Sequence, residues 1–315
     1  MKAALSRRLA LLTAAGTMVL GPSVLVTGLA GATAAQAGTP HTATVTHFEF
    51  TADSADTSGD TAYIDNPATN GQYNAMLFVT PNYDPDGTCG CVFDPAPVGV
   101  WYDGTLKQWA VFNENGDDMS QNESFNVLVV PLSLSGHGVF VTESIQANTV
   151  DDYTFISNSN ADGNPNAKIQ VTQNWDPSGF GNTYNPHPIG VWYDNAVGLW
   201  AIFNEDQAPM PLGAYFNVLV SSSPGHGGGK VALLKATKKN TSGDTAYFSN
   251  PLTNGNPDNI TFATPNYDPG GQGGTYDDVQ TGVWYPGGGT EEGVFNQNGS
   301  APPVHSAYNL LIFPG

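Results

Sequence analysis

The chain has 315 residues, with 28 acidic against 9 basic side chains and a formal net charge of −19. Lys2, Arg7 and Arg8 account for three of those bases, so the rest of the chain holds only six lysines and no arginine. That composition speaks against nucleic-acid binding and anionic membranes, both of which draw on clustered Arg and Lys. Two cysteines, Cys89 and Cys91, are too few for a disulfide scaffold.

The first element is a leader. Basic residues at 2, 7 and 8 precede an apolar stretch from Leu9 to about Leu29, and Ala35-Gln36-Ala37 supplies a small-residue cleavage site. These features predict a signal peptide over 1–37, cleaved before Gly38, and hence a secreted, extracellular protein. Gly16, Gly21, Pro22 and Gly28 interrupt the apolar stretch, so no membrane insertion is expected.

Beyond the leader the chain repeats itself three times. T-P-N-Y-D-P at 80–85 returns as T-Q-N-W-D-P at 172–177 and T-P-N-Y-D-P at 264–269, and G-V-W-Y at 99–102 returns at 190–193 and 282–285. F-N-V-L-V at 125–129 returns at 216–220 and, as Y-N-L-L-I, at 308–312. The repeats are placed at 38–135, 136–225 and 226–315. In the first, strands are predicted over 46–52, 61–65, 75–81, 98–103, 108–113 and 125–130, each rich in β-branched and aromatic residues and bounded by Gly, Pro, Asn or Asp. The strands over 98–103 and 108–113 form a hairpin that opposes Tyr102 to Trp109 and Trp101 to Ala110. The fold class is therefore all-β: three tandem antiparallel β-sandwich-like repeats of about 92 residues. Joints rich in Gly and Ser at 136–138 and 221–229 favour domains on a string, with a closed threefold β assembly as the alternative.

This pattern, T-P-N-[YW]-D-P, G-V-W-Y-D, W-A-[IV]-F-N and F-N-V-L-V, resembles an uncharacterised tandem-repeat family of exported bacterial proteins. The resemblance spans essentially the whole chain after the leader. It implies export and repetition and carries no activity with it.

Candidate site residues follow from what recurs. Trp101, Trp192 and Trp284, with Phe112, Phe203 and Phe295, read as core anchors. The opposite hairpin face replaces Trp109 and Trp200 by Glu292, which places it at a rim and makes Tyr102 with Trp109, and Tyr193 with Trp200, candidate sugar-stacking platforms. The loop segments Asn82-Tyr83-Asp84, Asn174-Trp175-Asp176 and Asn266-Tyr267-Asp268 pair an aromatic face with an amide and a carboxylate, a combination suited to a pyranose. The same residues also read as a turn. Cys89 and Cys91 are positioned for a tight disulfide in an oxidising compartment. The run from Asn82 to Gly87 starts like a calcium loop but has Phe93 where that loop needs Glu, so no metal is expected. No catalytic motif is present, and no cofactor is expected. The leading functional expectation is a multivalent binding protein for a polysaccharide or other glycan, with one weak site per repeat. The alternative is a structural or interaction protein (adhesin, surface component or inhibitor) that binds a basic extracellular protein, and a polysaccharide hydrolase is third.

Overall fold

Short runs of β-branched and aromatic residues, broken by Gly, Asn and Asp turns, make the regular secondary structure of the described residues almost wholly strand. The structure, a computed structural model, describes residues 44–315 except 88–89, 137, 176, 178–182, 222–226, 287–288 and 290. The predicted leader, Cys89 and Asp176 lie outside the described residues. The first repeat contains β1 (Thr46–Thr51), β2 (Thr57–Ser58), β3 (Thr61–Ile64), β4 (Met76–Pro81), β5 (Val98–Asp103), β6 (Gln108–Asn113) and β7 (Ser124–Val130). The second contains β8 (Val139–Glu143), β9 (Thr149–Val150), β10 (Tyr153–Ile156), β11 (Ile169–Asn174), β12 (Ile189–Asp194), β13 (Leu199–Asn204) and β14 (Tyr215–Val220). The third contains β15 (Lys230–Lys235), β16 (Thr241–Ser242), β17 (Thr245–Phe248), β18 (Ile260–Pro265), β19 (Thr281–Trp284), β20 (Glu292–Asn296) and β21 (Ala307–Phe313).

Each repeat is an antiparallel sandwich of a three-stranded and a four-stranded layer. In the first repeat the layers run β1-β7-β4 and β2-β3-β6-β5, and the other two repeats copy this order. The β5–β6 hairpin has the expected register, with Tyr102 opposite Trp109 and Trp101 opposite Ala110. Strand alternation then sorts the side chains. Leu77 and Val79 of β4, with Phe125 and Val127 of β7, face Ile64, Val100, Trp109 and Val111 across the sandwich interior.

The other face of the three-stranded layer is buried as well. Met76, Phe78, Leu128 and Val130 pack against Val139 and Leu219 of the second repeat and Phe262, Leu311 and Phe313 of the third. A strand covered on both sides reads as a continuous apolar run, and this is what F-N-V-L-V-V at 125–130 encodes. Its Phe and first two Val residues fill the sandwich, while its Asn, Leu and last Val face a central axis shared by all three repeats.

Polar groups close the ring around that axis. Thr172 Oγ1 accepts the amide of Val79 (3.0 Å), Thr264 Oγ1 that of Val171 (3.2 Å), and Thr80 Oγ1 that of Ala263 (3.2 Å). In parallel, Asn126 donates its side-chain amide to the carbonyl of Thr261 (2.8 Å), Asn217 to that of Leu77 (2.9 Å) and Asn309 to that of Ile169 (3.2 Å). Each repeat therefore bonds to both others, and the described chain from Thr44 onward belongs to one compact unit. This corrects the expectation of domains on a string. Gly138 of the glycine-rich joint is tied into the second repeat, because the amide of Val220 donates to its carbonyl.

A second correction concerns the tryptophans. Trp109 and Trp200 are 1% and 0% exposed, in the sandwich interior, and their indole N–H groups donate to the carbonyls of Gln72 and Asn164. Their partners Tyr102 and Tyr193 pack edge-on against them from the same interior. Trp109, Trp200 and Tyr193 are buried and present no face to a sugar, while Tyr102 is half-buried beside the exposed Tyr73. Glu292, in the equivalent position, is also buried. Thr261 Oγ1 lies 2.9 Å from Glu292 Oε2 and 3.0 Å from Asn259 Oδ1. One hydroxyl hydrogen serves only one of those acceptors, so a neutral Glu292 that donates its own proton satisfies the set. Burial is the main cause that raises its pKa to about 8. A Trp-to-Glu exchange therefore marked a protonated core acid and not a rim.

If the ring is one cooperative unit, Trp200→Ala lowers stability by ~3–5 kcal/mol and the chain still melts in a single calorimetric transition. Independent sandwiches would instead show an early transition for the second repeat alone.

Candidate functional site at the repeat seams

The ring has three seams, each built by the N-[YW]-D segment of one repeat docking on the four-stranded layer of another. The segment 82–84 docks on β19, 174–175 on β5 and 266–268 on β12. The backbone joins first. Tyr83 donates its amide to the carbonyl of Val283 (3.0 Å), Trp175 to that of Val100 (3.0 Å) and Tyr267 to that of Val191 (2.9 Å), which extends β11 as a parallel neighbour of β5. The asparagine of each segment points to the axis, where Asn82, Asn174 and Asn266 donate to Oδ1 of Asn126, Asn217 and Asn309 (2.9 Å each). The aspartate clasps the neighbouring repeat. Asp84 Oδ1 accepts the amide of Tyr285 (2.7 Å), and Asp268 Oδ1 that of Tyr193 (2.8 Å). Burial pushes both carboxyls up to about 6, against the opposing pull of those amides. Asn82, Asn174, Asn266, Asp84 and Asp268 are all buried, so they are structural groups of the seam and not ligand contacts.

A further bond locks each seam. Glu114 Oε2 accepts the amide of Asn185 (3.1 Å), Glu205 Oε2 that of Asp277 (3.0 Å), and Gln297 Oε1 that of Asp94 (3.2 Å). The two acids are buried beside Gly99 and Gly190. A Cβ at either glycine would meet the carboxyl oxygen at 2.4 or 2.2 Å, which explains the glycine of G-V-W-Y. Desolvation raises Glu114 to about 8 and Glu205 well above its ordinary value. The neutral carboxyl thus serves two seams where the uncharged amide of Gln297 serves the third.

The aromatic member of the segment is different, because it is left partly open. At the first seam Trp175 and Tyr184 face Trp101 and Phe112, with Asp60 and Thr61 at the margin, around a cavity of about 250 Å³. Trp101 and Trp175 meet at 6.1 Å and 89°, and Tyr184 lies 5.3 Å from Trp175. At the second seam Tyr267 and Tyr276 face Tyr153, Trp192 and Phe203, with Asp152 at the margin, around about 160 Å³. At the third seam Tyr83 and Phe93 face Trp284 and Phe295, with Tyr83 set at 88° to Trp284. Tyr184 and Phe93 are 46% and 42% exposed, while Phe112, Phe203 and Phe295 form the buried floors.

Of the predicted site residues, the structure therefore brings Tyr83, Trp175 and Tyr267 into these openings. It adds Trp101, Trp192 and Trp284, which were expected to be core anchors and are only half-buried. Phe93, Tyr184 and Tyr276 are absent from the sequence-derived set. Their signal was available, since they stand at one equivalent position of the three repeats, each just before a residue that binds the Asn of the F-N motif. Cys91 is disulfide-bonded. Among the described residues no group of three or more His, Cys, Asp or Glu is placed to hold a metal ion. A further cavity on the axis, lined by Thr80, Thr172, Thr264 and neighbours, measures about 40 Å³ and suits water alone.

Fold and seams together define a class: a closed ring of three tandem β-sandwiches with an aromatic cluster at each junction, which opens into a cavity at two of them. The chain belongs to the family whose domain is described as a domain of unknown function, DUF7452, which matches residues 39–129, 107–220 and 198–312. No curated protein and no solved structure matches it.

The buried acids of the first seam and of the third repeat's core set a pH dependence. Glu114 and Glu292 rise to about 8 in the fold, from 4.5 for an unperturbed group. Their contribution is fully present below about pH 4.5 and is lost as pH rises toward 8, at about 1.4 kcal/mol per pH unit for each group. The melting temperature is therefore expected to fall between pH 5 and pH 8, and Glu114→Gln, which copies Gln297, to flatten that fall. A melting temperature that rises over this interval contradicts the assignment.

Proposed function

We propose that this chain is a secreted, multivalent carbohydrate-binding protein whose binding sites are the three aromatic openings at the seams. One observation carries the reading: the same kind of half-exposed aromatic walls, over a buried Phe floor, recurs at all three junctions. Solvent-open aromatic faces with a carboxylate and hydroxyls at their margin suit a ring with one apolar face and polar edges. The cavities lie below the ~300–1,000 Å³ typical of drug-sized ligands, so a single sugar unit fits each. The sites are weak singly, and the ring holds them at fixed spacing. A polymer that reaches two of them rebinds at high effective concentration, which converts weak sites into firm retention. The export half of the proposal rests on the N-terminal pattern over 1–37.

The test uses the exposed walls. Tyr184→Ala, Tyr276→Ala and Phe93→Ala each remove one seam's outer ring without opening the sandwich core. Each is expected to weaken retention on an immobilised polysaccharide panel about two- to tenfold, the worth of one aromatic contact, with a nearly unchanged melting temperature. The triple variant is expected to lose retention altogether. Retention that survives the triple variant overturns the siting of the function at the seams.

A further inference from the structure

Each seam carries more negative charge than a neutral sugar requires. The residue that enters the third strand of each repeat is an aspartate, at positions 60, 152 and 244. Asp60 and Asp152 line the two open cavities. Asp244 lies close enough to Tyr83, across the third seam, to help hold the phenol above its ordinary pKa, after burial itself. Hydroxyls orient two of these acids, since Thr61 donates to Asp60 and Thr245 to Asp244 (2.9 Å each). A second acid stands beside the second opening, where Asp194 raises the pKa of Tyr153 behind burial as the larger cause.

No base compensates these carboxylates. Among the described residues the one ion pair is His187 with Asp206, and neither open cavity has a lysine in its lining. The walls favour the same sign of ligand. The aromatic rings that line the openings carry negative quadrupoles on their faces, to which an ammonium group is attracted. The net charge of −19 adds a long-range field that draws in polycations.

From the recurrence of aromatic faces and unpaired carboxylates in the same openings, we infer that the sugar unit bound at the seams carries a protonated amine. The polymer is an unacetylated amino-sugar chain, in which the pyranose face stacks on the Trp and Tyr rings and the ammonium meets the marginal aspartate. This rests on the carbohydrate reading above and adds the charge of its ligand.

The experiment compares three probes on the intact exported chain at 150 mM NaCl and pH 6: a glucosamine hexamer, the fully N-acetylated hexamer and choline. The glucosamine hexamer is expected to bind about tenfold more tightly than its acetylated counterpart. In a chain carrying Asp60→Asn, Asp152→Asn and Asp244→Asn, that ratio is expected to collapse toward one. Tyr184→Ala is expected to lower glucosamine binding as well, which separates cage binding from general adsorption of a cation on an acidic protein. Equal affinity for the two hexamers overturns the charge inference and leaves carbohydrate binding in place. Binding of neither hexamer overturns both readings, and binding of choline alone overturns the sugar while keeping the cation. Glucosamine affinity unaffected by both the aspartate and the Tyr184 variants reduces the effect to surface charge and overturns the inference.

Discussion

The asparagine bonds around the axis are the constraint on which the rest of the structure depends. Asn126, Asn217 and Asn309 sit in the middle of the central strand of each three-stranded layer, fully buried, and each spans from its own repeat to a backbone carbonyl of another. A buried amide without partners costs ~1–3 kcal/mol, so these residues are stable only when all three repeats are in place. Asn82, Asn174 and Asn266 then complete the set by donating to them. The ring is specified by polar groups that have no alternative partner, and the axial apolar cluster supplies its cohesion.

Closure also disposes of the edge strands β4, β11 and β18. Their outer backbone groups meet threonine hydroxyls from the neighbouring repeat at one level and the parallel bridge of the docked segment at the next. An exposed edge of this kind is a template for unwanted pairing. Here the same contacts that protect it carry the aromatic residue of the segment outward into the seam. Protection of the edge and construction of the opening are one event.

The seams also account for the buried acids of so acidic a chain. Glu114, Glu205 and Gln297 do the same work, accepting one amide across a junction, and the acids do it in the neutral form because the site is dry. The marginal aspartates are only half-buried and remain available to solvent and ligand. Burial thus separates structural acids such as Glu114 and Glu205, whose pKa it raises, from the half-buried seam-margin aspartates at the openings.

The sequence by itself determined the number of repeats, nearly every strand and the register of the hairpin, because these rest on local chemistry: strand-forming runs, turn residues and a fixed pairing across β5 and β6. It did not determine which hairpin face lies inside. Both faces are apolar, so the alternation separates Trp101 from Trp109 without orienting them, and the Trp-to-Glu exchange at 292 pointed the wrong way because a protonated acid is tolerated in a dry core. The unbroken run at 125–130 did carry the sign of burial on both sides, which a lone sandwich cannot provide. Only the tertiary structure decided that the N-[YW]-D segment is a clasp whose Asn and Asp are consumed by the neighbouring repeat while its ring is left at the opening. That division depends on groups roughly 70 residues or more away in the chain, such as Asn82 against Val283 and Trp175 against Trp101, and no local pattern encodes contact at such a separation.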